Sequence, residues 1–217
     1  LAIGHWDAEE YGILGSTEWV EQFEKELSSS AIAYLNADMA VTGPNVAAES
    51  APSLKKLLLE AAADTSYPTS EKSLLTVWQE QSETKGEPRM GDLGGGSDHV
   101  GFYSHLGIPA AQVFTTNPMP LYHTNYDDMA WYERFGDTEF KFGPAVAIWN
   151  GIIATRLADA DLLPLDVSRY AVDLSRHLGT LLERAQQLNR KLETSILRAA
   201  IQNLASAAAT LENTLTE

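Results

Sequence analysis

The stretch AIAYLNADMAV, residues 31–41, decides the fold. Its apolar density is that of a central strand buried on both faces, and it carries Asp38 out at its end. Upstream, residues 1–7 read as the end of another strand. Gly12 and Gly15 then punctuate a turn, and Ser16 or Thr17 can cap a helix running to about Leu27 with Trp19, Val20, Phe23 and Leu27 on one face. Downstream, Ser53 caps the helix SLKKLLLEAAAD, a third helix covers SEKSLLTVWQEQ, and the polar loop TKGEPRMGDLGGGSDH follows. A short helix around Val100–Leu106 leads into IPAAQVFTT, another strand. This alternation predicts an α/β fold, a mixed, mostly parallel sheet flanked by helices.

Beyond Pro144 the chain changes character. AVAIWNGIIATRLADAD reads as a long helix, and two more helices follow Pro164. Val167, Ala171, Leu174, Leu178, Leu181, Ala185 and Leu188 alternate spacings of four and three, as do Leu197, Ile201, Leu204, Ala208, Leu211 and Leu215. Such seams pack on other helices, either as a helical hairpin or as part of a bundle completed by a second subunit or further chain. The expected division is an α/β domain over residues 1–160 and a helical, dimerisation-type domain over residues 161–217.

Composition narrows the function. The 217 residues hold 15 basic against 30 acidic side chains, a net charge of −15, which repels phosphate backbones and disfavours nucleic acid as a partner. There is no cysteine, so thiolate metal sites and disulfides are excluded. No apolar run approaches the ~20 residues that span a bilayer.

Four short stretches carry the chemistry. WDAEEYG places Glu9 and Glu10 between an apolar run and a glycine turn, and YLNAD ends on Asp38. The glutamates are read as solvated loop acids and Asp38 as a residue that caps or turns the backbone, or else all three form a site at the carboxyl edge of the sheet, where open α/β folds bind ligands. GGGSDHVGF lacks the lysine of a phosphate loop, and its consecutive Ser97, Asp98 and His99 cannot face one another as a triad, so the glycines allow close backbone approach to a ligand. In LYHTNYDD, His123 sits beside Tyr122 among turn-forming residues. Together, Glu9, Glu10, Asp38 and His123 supply oxygen and nitrogen donors plus a spare carboxylate. That combination suits metal-assisted hydrolysis, with zinc as the leading metal.

WDAEEYGILGSTEW, YLNAD, GSDHVGFYSHLGIPA and YHTNYDD, in this order, resemble the zinc aminopeptidase and carboxypeptidase superfamily. LADADLLPLDVSRYA and the helices after it resemble the branch that contains glutamate carboxypeptidase II and the transferrin receptor. The resemblance covers essentially the whole chain. It implies a zinc-dependent exopeptidase in which Glu9 is the general base, Glu10 and His123 are ligands of one zinc and Asp38 of the other. It further implies that Tyr122 helps hold the oxyanion and that Gly96 and Ser97 line the substrate cleft. Two ions about 3.5–4 Å apart are implied, as in two-metal hydrolases. The alternative on the same fold is a non-catalytic receptor or binding module.

Three departures accompany the resemblance. It places a His and a metal-bridging Asp upstream of this chain, for which His5 and Asp7 are not substitutes, so the zinc pair is expected to be completed by sequence outside these residues. Glutamate-specific relatives use arginines on the strand that here reads AAQVFTTN, with Gln112 and Phe114 at the matching places, which weakens any inference of an acidic substrate. The family's last segment, which returns to the cleft, has no counterpart here. A peptide or dipeptide substrate, a homodimer through the helical tail and an extracytoplasmic setting are further implications of the resemblance.

Overall fold

The computed structural model describes residues 1–216 and divides into two units, Leu1–Pro164 and a second beginning at Leu165. The first is α/β with a small mixed sheet. Strands β1 (Tyr34–Asn36), β2 (Asn45–Ser50) and β3 (Ala110–Thr116) are ordered β1-β3-β2. β1 runs parallel to β3 and β2 antiparallel to it, so one pairing of the two is parallel. The strand expected over residues 31–41 is only Tyr34–Asn36, and residues 1–7 make no strand at all. The apolar side chain of Trp6 instead joins an aromatic cluster with Trp19 and Phe102. β2 was not anticipated, because NVAAES has a single β-branched residue and little apolar bulk.

Alternation along the strands splits their side chains between two faces. Val46, Ala48, Ala111 and Val113 share one face, all buried, and the pairs Ala48↔Val113 and Val46↔Thr115 keep it in register. Helices α3 (Lys55–Ala63), α4 (Leu74–Gln81) and α6 (Phe142–Ala158), with Leu54 just before α3, supply the rest of the core through Leu57, Leu58, Leu74, Trp78, Trp149 and Ile153. Trp78 meets Trp149 edge-on at 5.7 Å, an arrangement suited to the ring quadrupoles. The Trp149 indole donates to the Leu58 carbonyl at 3.0 Å, which removes the cost of burying its N–H.

The other face carries Tyr34, Asn36, Glu49, Gln112 and Phe114. Val20, Phe102 and Ile108 form a second core beside it, with Trp6, Trp19, Leu27 and Tyr34 packed around them. Tyr34 stacks flat on Phe102, with ring centroids 4.1 Å apart. The helix read as continuous to Leu27 is two, α1 (Leu14–Gln22) and α2 (Glu24–Ser30), separated where Phe23 leaves helical geometry at φ −109 and ψ 20. A short helix, α5 (Met129–Trp131), completes this unit.

In the second unit, α7 (Arg169–Gln187) and α8 (Ser195–Thr216) pack through Ala171, Leu178 and Ile201, with Leu182, Leu204 and Ala205 around them. Only part of the seam is used. Ala171, Leu178 and Ala185 are buried, whereas Leu174, Leu181 and Leu188 are exposed.

Candidate active site

Two parallel strands end on the same edge of the sheet, and the candidate residues gather in the segments that leave it. β1 delivers Asp38 two residues past Asn36, and β3 runs on into the turn-rich segment that presents Tyr122 and His123. The third contribution comes from a tight turn before α1. Ala8 and Ile13 both adopt left-handed backbone, Glu9–Tyr11 form a single 3₁₀ turn, and Gly12 stands at φ 105. The Glu9 carbonyl accepts from the N–H groups of Gly12 and Ile13 at 3.0 and 2.7 Å, and the Gly15 N–H donates to the Asp7 carbonyl at 3.2 Å. A Cβ on Gly15 would lie 2.5 Å from that carbonyl oxygen, so the closure of the turn requires glycine there.

This turn sends Glu10 toward the loop after β3. The Glu10 Oε1 lies 3.1 Å from His123 Nε2, and the Tyr122 ring stacks on the His123 ring with centroids 3.8 Å apart. Glu9 is close enough to the same groups to feel them. Its carboxyl is held above the ordinary carboxylate value by partial desolvation, then by the charges of Glu10, Asp38 and Asp98, with His123 acting in the opposite sense. The Tyr122 phenol is pushed up by desolvation and by Glu10, Asp38 and Glu9, and so stays protonated. The structure therefore brings Glu9, Glu10, Asp38, Tyr122 and His123 into one electrostatic cluster.

The glycine-rich loop contributes from the other side. Gly96 is exposed, and a Cβ on it would meet nothing. Ser97 is buried, and its hydroxyl donates to Asp38 Oδ2 at 2.9 Å. Asp98 accepts from the buried Ser16 hydroxyl at 2.6 Å, which ties the loop to α1.

Imidazole nitrogen with carboxylate oxygens is a donor chemistry that suits zinc. Glu10 and His123 form one such pair and Asp38 a neighbouring donor. Among the described residues no three such side chains converge closely enough to hold an ion by themselves. Reading the sequence did not single out Trp6, Tyr34 or Asn36 as supporting residues. Asn36, a polar side chain ending an apolar strand, was the available signal, since a buried amide needs partners.

Comparison with known proteins places the chain among peptidases by sequence. The family model described as Peptidase family M28 matches residues 1–138. A probable glutamate carboxypeptidase, LAMP1, of Arabidopsis thaliana is 38% identical over 209 residues, covering 96% of this chain and 30% of that protein. The aminopeptidase NAALADL1 of Mus musculus is 32% identical over 228 residues, covering 97% of this chain and 31% of that protein. The chain thus spans less than a third of the length of these curated relatives. A solved structure of Legionella LapA aligns over 71% of this chain and 39% of that one, at 21% identity and a TM-score of 0.46.

Proposed function

This chain belongs to peptidase family M28, and on that premise we propose that it supplies the metal-binding and catalytic segment of a zinc-dependent exopeptidase. The observation that carries the proposal is the convergence of Glu10 and His123 beside Glu9 at the carboxyl edge of the sheet. In this reading Glu10 and His123 would hold one zinc and Asp38 the other, with further donors needed to complete each ion's shell. Zinc, when bound, supplies Lewis acidity toward water and the scissile carbonyl.

The chain's own residues do the rest. Glu9, left out of the ligand set, takes a proton from the attacking water and returns it to the leaving amine. Desolvation, and then the neighbouring carboxylates, raise its proton affinity and make it a better acceptor than a free glutamate. Tyr122, kept protonated, donates its hydroxyl to the carbonyl oxygen as negative charge develops there. The exposed Gly96 lets substrate backbone approach the cleft. Gln112 and Phe114 carry no charge, which weakens any inference of an acidic substrate.

The exposed row Leu174, Leu181 and Leu188 supports homodimerisation through the second unit, because an apolar seam left open by α8 needs a partner. Among the described residues no helix is long and apolar enough to cross a membrane.

The test is Glu9→Gln in the complete protein. Hydrolysis of aminoacyl and dipeptide substrates should fall by about 10²–10⁴-fold while zinc stays bound. Turnover near the parent rate would remove Glu9 as the base.

A further inference from the structure

Asp38 is held by a hydrogen-bonded chain whose direction is fixed by its own backbone carbonyl, which can only accept. The Trp6 indole is a donor only, and it donates to the Tyr34 hydroxyl at 3.0 Å. Tyr34 then donates its own proton to Asn36 Oδ1 at 3.2 Å. This leaves both protons of Asn36 Nδ2 to donate, one to Ser97 Oγ at 2.9 Å and one to Gln112 Oε1 at 2.7 Å. Ser97 passes its single proton to Asp38 Oδ2 at 2.9 Å, and Gln112 Nε2 donates to the Asp38 backbone carbonyl at 2.5 Å. Each proton has one acceptor: the Asp38 carbonyl can only accept, so Gln112 Nε2 must face it, Asn36 Nδ2 must face Gln112 Oε1, and Asn36 Oδ1 is left to accept from Tyr34. Asp38 thus receives donors at Oδ2 and at its carbonyl.

The ends of this chain are anchored independently. Asn36 and Ser97 are 3% and 5% exposed, so water does not compete for their bonds. Trp6 is set by contacts with Trp19 and Phe102, and Tyr34 by its stack on Phe102. Trp6 also lies three residues before Glu9 in the segment that carries Glu9 and Glu10. The same bonds therefore link the segment with one set of donors to the strand with the other.

We infer that Trp6, Tyr34, Asn36, Ser97 and Gln112 are positioning residues, a one-way relay that fixes the Asp38 carboxylate for its metal ion and holds it in register with the Glu9–Glu10 turn. The inference rests on the reading of Asp38 as a zinc ligand. Polar groups that orient ligands in this way typically contribute a factor of about 10–100 to metal affinity.

The experiment measures zinc affinity by chelator competition, with Co(II) absorption as a second readout, on the complete protein and three variants. In Ser97→Ala one ion should bind about 10–100-fold more weakly, with an altered Co(II) spectrum, while the other ion is unchanged. Tyr34→Phe keeps the stack on Phe102 and should weaken the same ion by a smaller factor; it carries the test by itself if Ser97→Ala does not fold. Thr65→Val removes a buried hydroxyl bonded to the Ala61 carbonyl, away from the relay, and should lower Tm without moving either affinity. Parental affinities in both Ser97→Ala and Tyr34→Phe would overturn the relay and leave the zinc reading intact. Equal weakening in Thr65→Val would also overturn it, by making the effect one of general stability. A parent protein that binds no zinc overturns the functional reading and the relay with it.

Discussion

His123 Nε2 lies 3.1 Å from Glu10 Oε1 across 113 positions of sequence, and both side chains are more than half exposed. An exposed pair of this kind adds only about 0–1 kcal/mol to stability. Its removal should therefore leave the fold in place while deleting metal donors. Glu10→Gln and His123→Ala are expected to keep Tm within about 4 °C of the parent. Each should lose roughly one equivalent of zinc and most of the hydrolytic rate. Metal analysis of the purified variants beside a melting curve checks this, and full zinc content in either variant would remove that residue from the ligand set.

The turn that aims Glu10 depends on Gly15. A Cβ there would sit 2.5 Å from both the Asp7 carbonyl oxygen and its Oδ1, so Gly15→Ala has to open the Asp7–Gly15 closure. The expected cost is about 1–3 kcal/mol, as for other forced overpacking, together with loss of zinc. Gly151→Ala in α6 is the contrast. Its Cβ meets nothing within 4 Å, and alanine within a helix should stabilise by roughly 0.5–1 kcal/mol. Urea unfolding of the two variants gives the comparison, and equal stabilities would dismiss the steric account of the turn.

What the sequence made legible follows from range. α3, α4 and α6 are local patterns of apolar spacing, and they stand close to where that spacing puts them. Glu9, Glu10, Asp38 and His123 were singled out because each follows an apolar run or sits in a turn, and the fold gathers them through parallel β1 and β3. The extended start of the chain misled because Trp6 there serves an aromatic cluster around Phe102, while Leu1 and Ile3 stand exposed and pair with no strand. β2 escaped because its stability comes from six pairings with β3 rather than from its own propensity. The Asn36–Ser97 and Asn36–Gln112 bonds span 61 and 76 positions, and no local pattern announces such partners.

Tyr34 links the fold to pH. Burial pushes its phenol up to about 12 from 10.0, with the Trp6 donor opposing and the charges of Asp98 and Asp38 adding to the rise. The folded state thus favours the protonated phenol. The stability this gives is fully present below pH 10.0 and is lost as pH rises toward about 12. The urea midpoint of the parent should fall with pH across that window, and that of Tyr34→Phe should fall less steeply because one titrating group has gone. Parallel curves would mean that Tyr34 ionises equally easily folded and unfolded.

Leu174 and Leu181 on α7, and Leu188 just past its end, are exposed at intervals of seven, beside the buried row Ala171, Leu178 and Ala185. Burying a leucine row without loss of monomer packing requires another apolar surface, and a second copy offers an identical one by two-fold symmetry. Leu181→Glu puts a charge at the middle of that row. In the monomer the position is exposed, so the change should stay within about 0.5 kcal/mol of the parent's folding stability. In a dimer the carboxylate would be buried without a partner, and the dissociation constant should rise at least tenfold, equivalent to about 1.4 kcal/mol. Sedimentation velocity over a dilution series, with circular dichroism to confirm retained helix, distinguishes the two. A Leu181→Glu protein with the parent's dimer fraction at every concentration would exclude this face as the interface.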